Sequence, residues 1–160
     1  MKREILLIAE QIKDAYEGTP WFGRNTRELL DEISADIVFE KPYDQHSIAE
    51  LLWHMINWKE FVISRLRKDA EPSVHYFEEN DWRTLDRSDK NLWHQGLQQF
   101  SKLHNELVET VQQQQDELLS ERVSGREYDF RKLLYGTTQH DIYHLGQIVY
   151  IKKMLEKPSR

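Results

Sequence analysis

The sequence contains no cysteine. That removes disulfides, thiolate metal sites and a cysteine nucleophile together, and it suits a reducing compartment. It also lacks any apolar run near the roughly 18 residues that a membrane span requires. The stretch Ile5 to Ala9 is five residues long before Glu10, Lys13 and Asp14 interrupt it, so no export signal is expected. No Lys/Arg-rich run appears, and 28 acidic against 22 basic residues leave a formal charge of −6. A general nucleic-acid binder needs a basic face for phosphates, so neither nucleic acid nor membrane is an expected partner. No segment of useful length alternates apolar and polar residues, and no internal repeat or interior linker is visible. The expectation is one soluble, cytoplasmic domain over residues 1–160, long enough to fold without staples.

What the sequence does have is helical spacing. From Arg3 to Glu17 the stripe is Ile5, Ile8, Ala9, Ile12, Ala15 and Tyr16, at steps of three and four. Gly18-Thr19-Pro20 ends it, and Thr19 with Pro20 fits the start of a second helix running to about Ile33. That helix would turn Phe22, Leu29, Leu30 and Ile33 inward. A loop follows, with Pro42, Tyr43 and Asp44 as turn residues. Ser47-Ile48-Ala49-Glu50 reads as a capping box that opens a helix to about Lys68. Residues 69–87 lose periodicity and are expected as loop, with Tyr76, Phe77 and Trp82 pinning it. Ser88 is the expected cap of a helix from Asp89 to about Asp116, and the run Gln112 to Gln115 is its solvated end. Ser124-Gly125 marks a turn before a last helix from about Asp129 to Leu155. The fold class is all-α: a four-helix bundle with an extra short N-terminal helix.

The chemistry lies among seven histidines. His140 and His144 are four apart on one helix, so their rings share a side one turn apart. Leu133, Thr137, His140, His144, Ile148, Ile151 and Leu155 form one stripe, which places the pair inward. Two imidazoles in an apolar seam are costly to bury without a partner, and a divalent ion accepts both lone pairs. A third ligand must come from elsewhere. His54 is the better candidate, mid-helix between Leu51 and Met55; His104, between Phe100 and Val108, is its rival and otherwise a core histidine bonded to a carbonyl or water. His46, His75 and His94 have no spacing that argues for metal. His140-Asp141-Ile142-Tyr143-His144 also resembles the zinc-protease pattern His-Glu-x-x-His. Asp is one methylene short of Glu, and those enzymes take a third ligand well downstream. Only 16 residues follow His144, with Glu156 the one carboxylate side chain among them, so the protease reading fails.

Ser47-Ile48-Ala49-Glu50-Leu51-Leu52-Trp53-His54-Met55-Ile56-Asn57-Trp58 resembles the second-helix motif of the DinB/YfiT-like metal-binding proteins. Gly136-Thr137-Thr138-Gln139-His140-Asp141-Ile142-Tyr143-His144-Leu145-Gly146-Gln147-Ile148 is similar to their last-helix motif. Pro20-Trp21 and Glu79-Asn80-Asp81-Trp82 fit one branch of that family. The resemblance spans about Trp21 to Leu155, and the stretch before Trp21 matches least. It implies a four-helix bundle whose metal ligands fall at His54, His140 and His144. It further implies nickel or zinc, with manganese or iron as other choices, and a homodimer. Some members transfer a low-molecular-weight thiol such as bacillithiol, some isomerise with mycothiol, and others have no known activity.

Three histidines leave a position open for water or substrate. With no cysteine in the chain, a thiol nucleophile must arrive as a cosubstrate. The leading expectation is a metal-dependent transferase joining a small thiol to an electrophilic small molecule, like a bacillithiol S-transferase. A metal-dependent hydrolase and a non-catalytic metal-binding or stress-response protein are the alternatives. Asp141 and Glu50 are weak candidates for a catalytic carboxylate. Gln147, Trp58 and Asn57 are the candidates for groups around the ligands, Gln147 being best placed to hydrogen-bond one of them. The other tryptophans (Trp21, Trp53, Trp82 and Trp93) are expected mainly in the core or in an interface between copies.

Overall fold

The computed structural model describes residues 3–68, 72–89 and 91–156. Residues 69–71 of the expected loop and position 90 of an expected helix fall outside these. The described residues form helices α1 (Arg3–Glu17), α2 (Thr26–Asp31), α3 (Ile48–Arg67), α4 (Val74–Glu79), α5 (Leu92–Gln112) and α6 (Phe130–Leu155). Short 3₁₀ turns lie at Pro42–Asp44 and Asp116–Ser120. The protein is all-α, with one isolated antiparallel bridge, Arg122 to Asp129, among the described residues. That bridge closes the turn before α6, where Gly125 adopts φ 74°, a conformation that costs a glycine little.

The four long helices make the bundle. α3 packs on α5 and α6, and α1 closes the ring by packing on the same two. Ile5, Ile8, Ile48, Leu52, Met55, Phe100, Leu107 and Ile148 fill the centre, each at most 1% exposed. Sequence features set several helix starts. The Ser47 hydroxyl accepts the Glu50 amide while the Glu50 carboxylate accepts the Ser47 amide, so the expected capping box is formed. Asp129 caps α6 through the Lys132 amide. α1 is capped from a distance: the Asp116 carboxylate accepts the Arg3 and Ile5 amides, each at 2.9 Å.

Three expectations are corrected. The second helix does not start at Thr19; it begins after Asn25, whose side chain accepts the Glu28 amide. Trp21 and Phe22 therefore sit on an exposed turn rather than inward, and α1 is a full member of the bundle. The 69–87 loop contains α4, capped by Ser73 and held by its buried Phe77. α5 begins after Asn91, not at Ser88, because the Ser88 hydroxyl is spent on Asp86 at 2.6 Å. It ends at Gln112, the first residue of the glutamine run, rather than near Asp116.

A candidate metal centre between α3 and α6

α3 and α6 run antiparallel: Leu51, early in α3, lies with Gln147 and Ile151, while Phe61 and Val62, late in α3, lie with Leu133 and Gly136. Between these ends His54 meets His140 and Lys59 meets Asp141. This register gathers His54, His140 and His144, with ligand atoms all within 4.8 Å of one another. His54 Nε2 and His140 Nε2 are 3.0 Å apart. The ring centroids of His144 lie 4.6 Å from His54 and 4.5 Å from His140. The rival, His104, is on α5 and stands apart from this cluster.

Each flanking ring is oriented by a partner on its other nitrogen. His54 Nδ1 is 2.8 Å from Asp81 Oδ1, and His144 Nδ1 is 2.6 Å from Gln147 Oε1. Both partners are acceptors, so each Nδ1 carries its proton and each Nε2 keeps a lone pair. Burial pushes the His54 imidazole below its ordinary pKa, and burial lowers His144 to about 4. Both rings are therefore uncharged at neutral pH. Two ring nitrogens 3.0 Å apart need a proton or a cation between them to avoid lone-pair repulsion. That separation suits two ligands on one ion at about 2.0–2.1 Å each. The donor set thus fits a divalent ion, and imidazole donors suit zinc and nickel alike.

A family model for the DinB superfamily matches residues 21–148. The chain belongs to the DinB superfamily. No curated protein and no solved structure matches it. The DinB match takes in α3, α4, α5 and most of α6, together with all three clustered histidines, while α1 precedes it. A DinB-type bundle and a three-histidine cluster able to hold a divalent ion are therefore both present.

Gln147 is on His144. Trp58 donates its indole N–H to Asp81 Oδ1 at 2.5 Å, beside His54. The Asn57 amide instead donates to the Phe77 carbonyl at 2.9 Å, tying α4 to α3. Glu50 is engaged by the Ser47 amide at 2.8 Å and by Lys41 at 2.5 Å, the duties of a cap. Asp141 forms a 2.6 Å ion pair with Lys59, a lysine only 1% exposed. Burial raises the Asp141 carboxyl, but the Lys59 ammonium and His140 together outweigh it and hold the group below its ordinary value. His104 is the core histidine of the alternative reading, but it stacks on Tyr16 at 4.0 Å and its Nε2 has no hydrogen-bond partner among the described residues.

Sequence reasoning missed three contributors. Asp81 orients His54, Lys59 neutralises Asp141, and Trp82 stacks on His54 with centroids 4.1 Å apart and planes 8° from parallel. His46 stacks on Trp82 at 3.6 Å. The run Glu79-Asn80-Asp81-Trp82 was the available signal for two of them, without a role attached. A buried lysine on α3 had none.

Proposed function

We propose that this DinB-superfamily protein is a metal-dependent transferase that joins a low-molecular-weight thiol, such as bacillithiol, to an electrophilic small molecule. The observation that supports it is the convergence of three imidazoles, two of them oriented by Asp81 and Gln147, beside an apolar cleft, in a chain with no thiol of its own. Three protein ligands are the number that leaves room for a reactant. When bound, a divalent ion supplies a Lewis acid that lowers the pKa of a thiol or water beside it.

The chain's own residues hold and orient. His54, His140 and His144 fix the ion, and Asp81 and Gln147 fix the rings of His54 and His144. Trp82 covers one face of His54, and Trp58 begins an apolar wall that limits water. In the transfer, a sulfur–carbon bond forms and the carbon–leaving-group bond breaks. The thiol proton passes to solvent, and the leaving group departs with its electron pair. Nickel or zinc is the ion proposed.

The test is consumption of a thiol with monobromobimane as electrophile by metal-loaded protein, corrected for the uncatalysed rate. Saturable turnover that disappears in His144→Ala and on chelation is expected. Equal turnover by metal-free protein rejects the proposal. Metal-dependent turnover of an ester that needs no thiol identifies a hydrolase instead, and tight metal binding without any turnover identifies a binding protein.

A further inference from the structure

A cleft of about 280 Å³ runs along the α3–α6 groove, and His140 is one of its lining residues. The Nε2 of the same residue faces His54 at 3.0 Å, so the cleft adjoins the three-histidine cluster through His140. Trp58 and Phe61 from α3 and Tyr128 from the turn before α6 give it aromatic walls, and Leu133 adds an aliphatic one. Among the described residues no aspartate or glutamate lines it and Lys132 is its one lysine or arginine. The nearby Arg126 guanidinium, 5.7 Å from the Trp58 ring centroid and 5.5 Å from that of Phe61, is paired with Glu78 at 3.1 Å. The Lys132 ammonium lies 5.7 Å from the Tyr128 ring centroid and has no carboxylate partner among the described residues. Space is left by Gly136, where an added β-carbon would meet no atom within 4 Å.

Apolar walls select a molecule by area removed from water, aromatic faces favour a flat one, and a lone ammonium favours an anion. We infer that this cleft binds a small, flat, apolar molecule with one anionic group. The apolar body lies against Trp58, Phe61 and Tyr128, the anion faces Lys132, and the far end reaches His140. Naming this guest the electrophile rests on the thiol-transfer proposal; its binding does not.

Calorimetric titration of the metal-loaded full chain with 2-naphthoate, and with uncharged 2-naphthamide, tests it. Saturable binding of both is expected, with naphthoate the tighter. Gly136→Leu places a side chain in the cleft without a backbone clash, so it should weaken both ligands at least tenfold while metal stoichiometry and thermal unfolding stay as in the parent. Lys132→Gln should cost naphthoate about threefold, the scale of a solvent-exposed ion pair, and leave naphthamide unchanged. Failure of the parent to bind either compound, or undiminished binding by Gly136→Leu, overturns the inference; should that variant not fold, an unchanged naphthoate preference in Lys132→Gln does so. Absence of thiol transfer with these binding results intact removes the proposed reaction but not the cleft's guest.

Discussion

Asp81 Oδ1 lies 2.8 Å from His54 Nδ1, and the same oxygen accepts the Trp58 indole N–H at 2.5 Å. One carboxylate, from the loop after α4, therefore sets both a ligand ring and a wall of the adjacent cleft. Burial of His54 lowers its pKa while Asp81 pulls the other way, so the pairing raises the basicity of a ring that burial keeps neutral. Losing such a partner weakens metal sites by roughly 10–100-fold. Asp81→Ala should show that loss in a chelator-competition titration, and Asp81→Asn, which keeps an acceptor, should lose less. Equal affinity in Asp81→Ala and the parent would show that His54 is oriented by packing alone.

The Lys59–Asp141 pair makes a different kind of prediction. Both groups are removed from bulk water, with Lys59 Nζ also 4.8 Å from the Phe100 ring centroid. Removing one partner strands the other, at a cost of about 3–5 kcal/mol, whereas replacing both by apolar side chains is often neutral. Lys59→Met should therefore unfold at markedly lower urea concentration. The double variant Lys59→Met/Asp141→Leu should recover most of the loss. A double variant no better than the single one would give the ion pair a role that its charge balance does not explain.

The bundle and the triad were legible because both depend on local periodicity. Steps of three and four fixed the faces of α1, α3, α5 and α6, and His140 and His144 lie on one face by arithmetic. The His54 assignment needed one further assumption, that α3 meets α6. What was not legible depends on contacts between distant segments. α1 takes its cap from Asp116, 113 residues after Arg3. Lys59 looks like a surface lysine until Asp141 faces it, and Asp81 looks like a loop residue until α4 carries it to His54. The start of α2 was misplaced because Pro20 is compatible with a helix start, whereas Asn25 forms the cap.

Acid should destabilise the fold through His104. Its ring is 2% exposed, stacked on Tyr16, and its pKa is lowered to about 3, first by burial and then by the Lys59 charge. The unfolded chain takes up this proton near its ordinary pKa of about 6.5; the folded chain does not until about 3. Between those values the unfolded state holds more protons, so stability falls as pH falls. The effect is on the order of a few kcal/mol, complete near the lower value. His104→Phe removes the titrating group and keeps the aromatic contact, so its denaturation midpoint should depend less on pH between 6 and 4. Identical pH profiles for parent and variant would assign acid sensitivity to other groups.

Removal of the ion should lower thermal stability by a predictable amount. A ligand at 100 times its Kd stabilises the fold by about 2.7 kcal/mol, which for a chain of this size raises Tm by roughly 5–11 °C. Nickel or zinc should produce that rise in the parent, and chelation should reverse it. His140→Ala should show none, since two ligands remain. Protons compete for the same lone pairs. From ordinary histidines the rise would vanish as pH falls through about 6, but burial lowers His54 and brings His144 to about 4. Both rings stay available further into acid, so the rise should persist at pH 6 and fade between about 6 and 4. A full rise at pH 3 would mean that these imidazoles do not hold the ion.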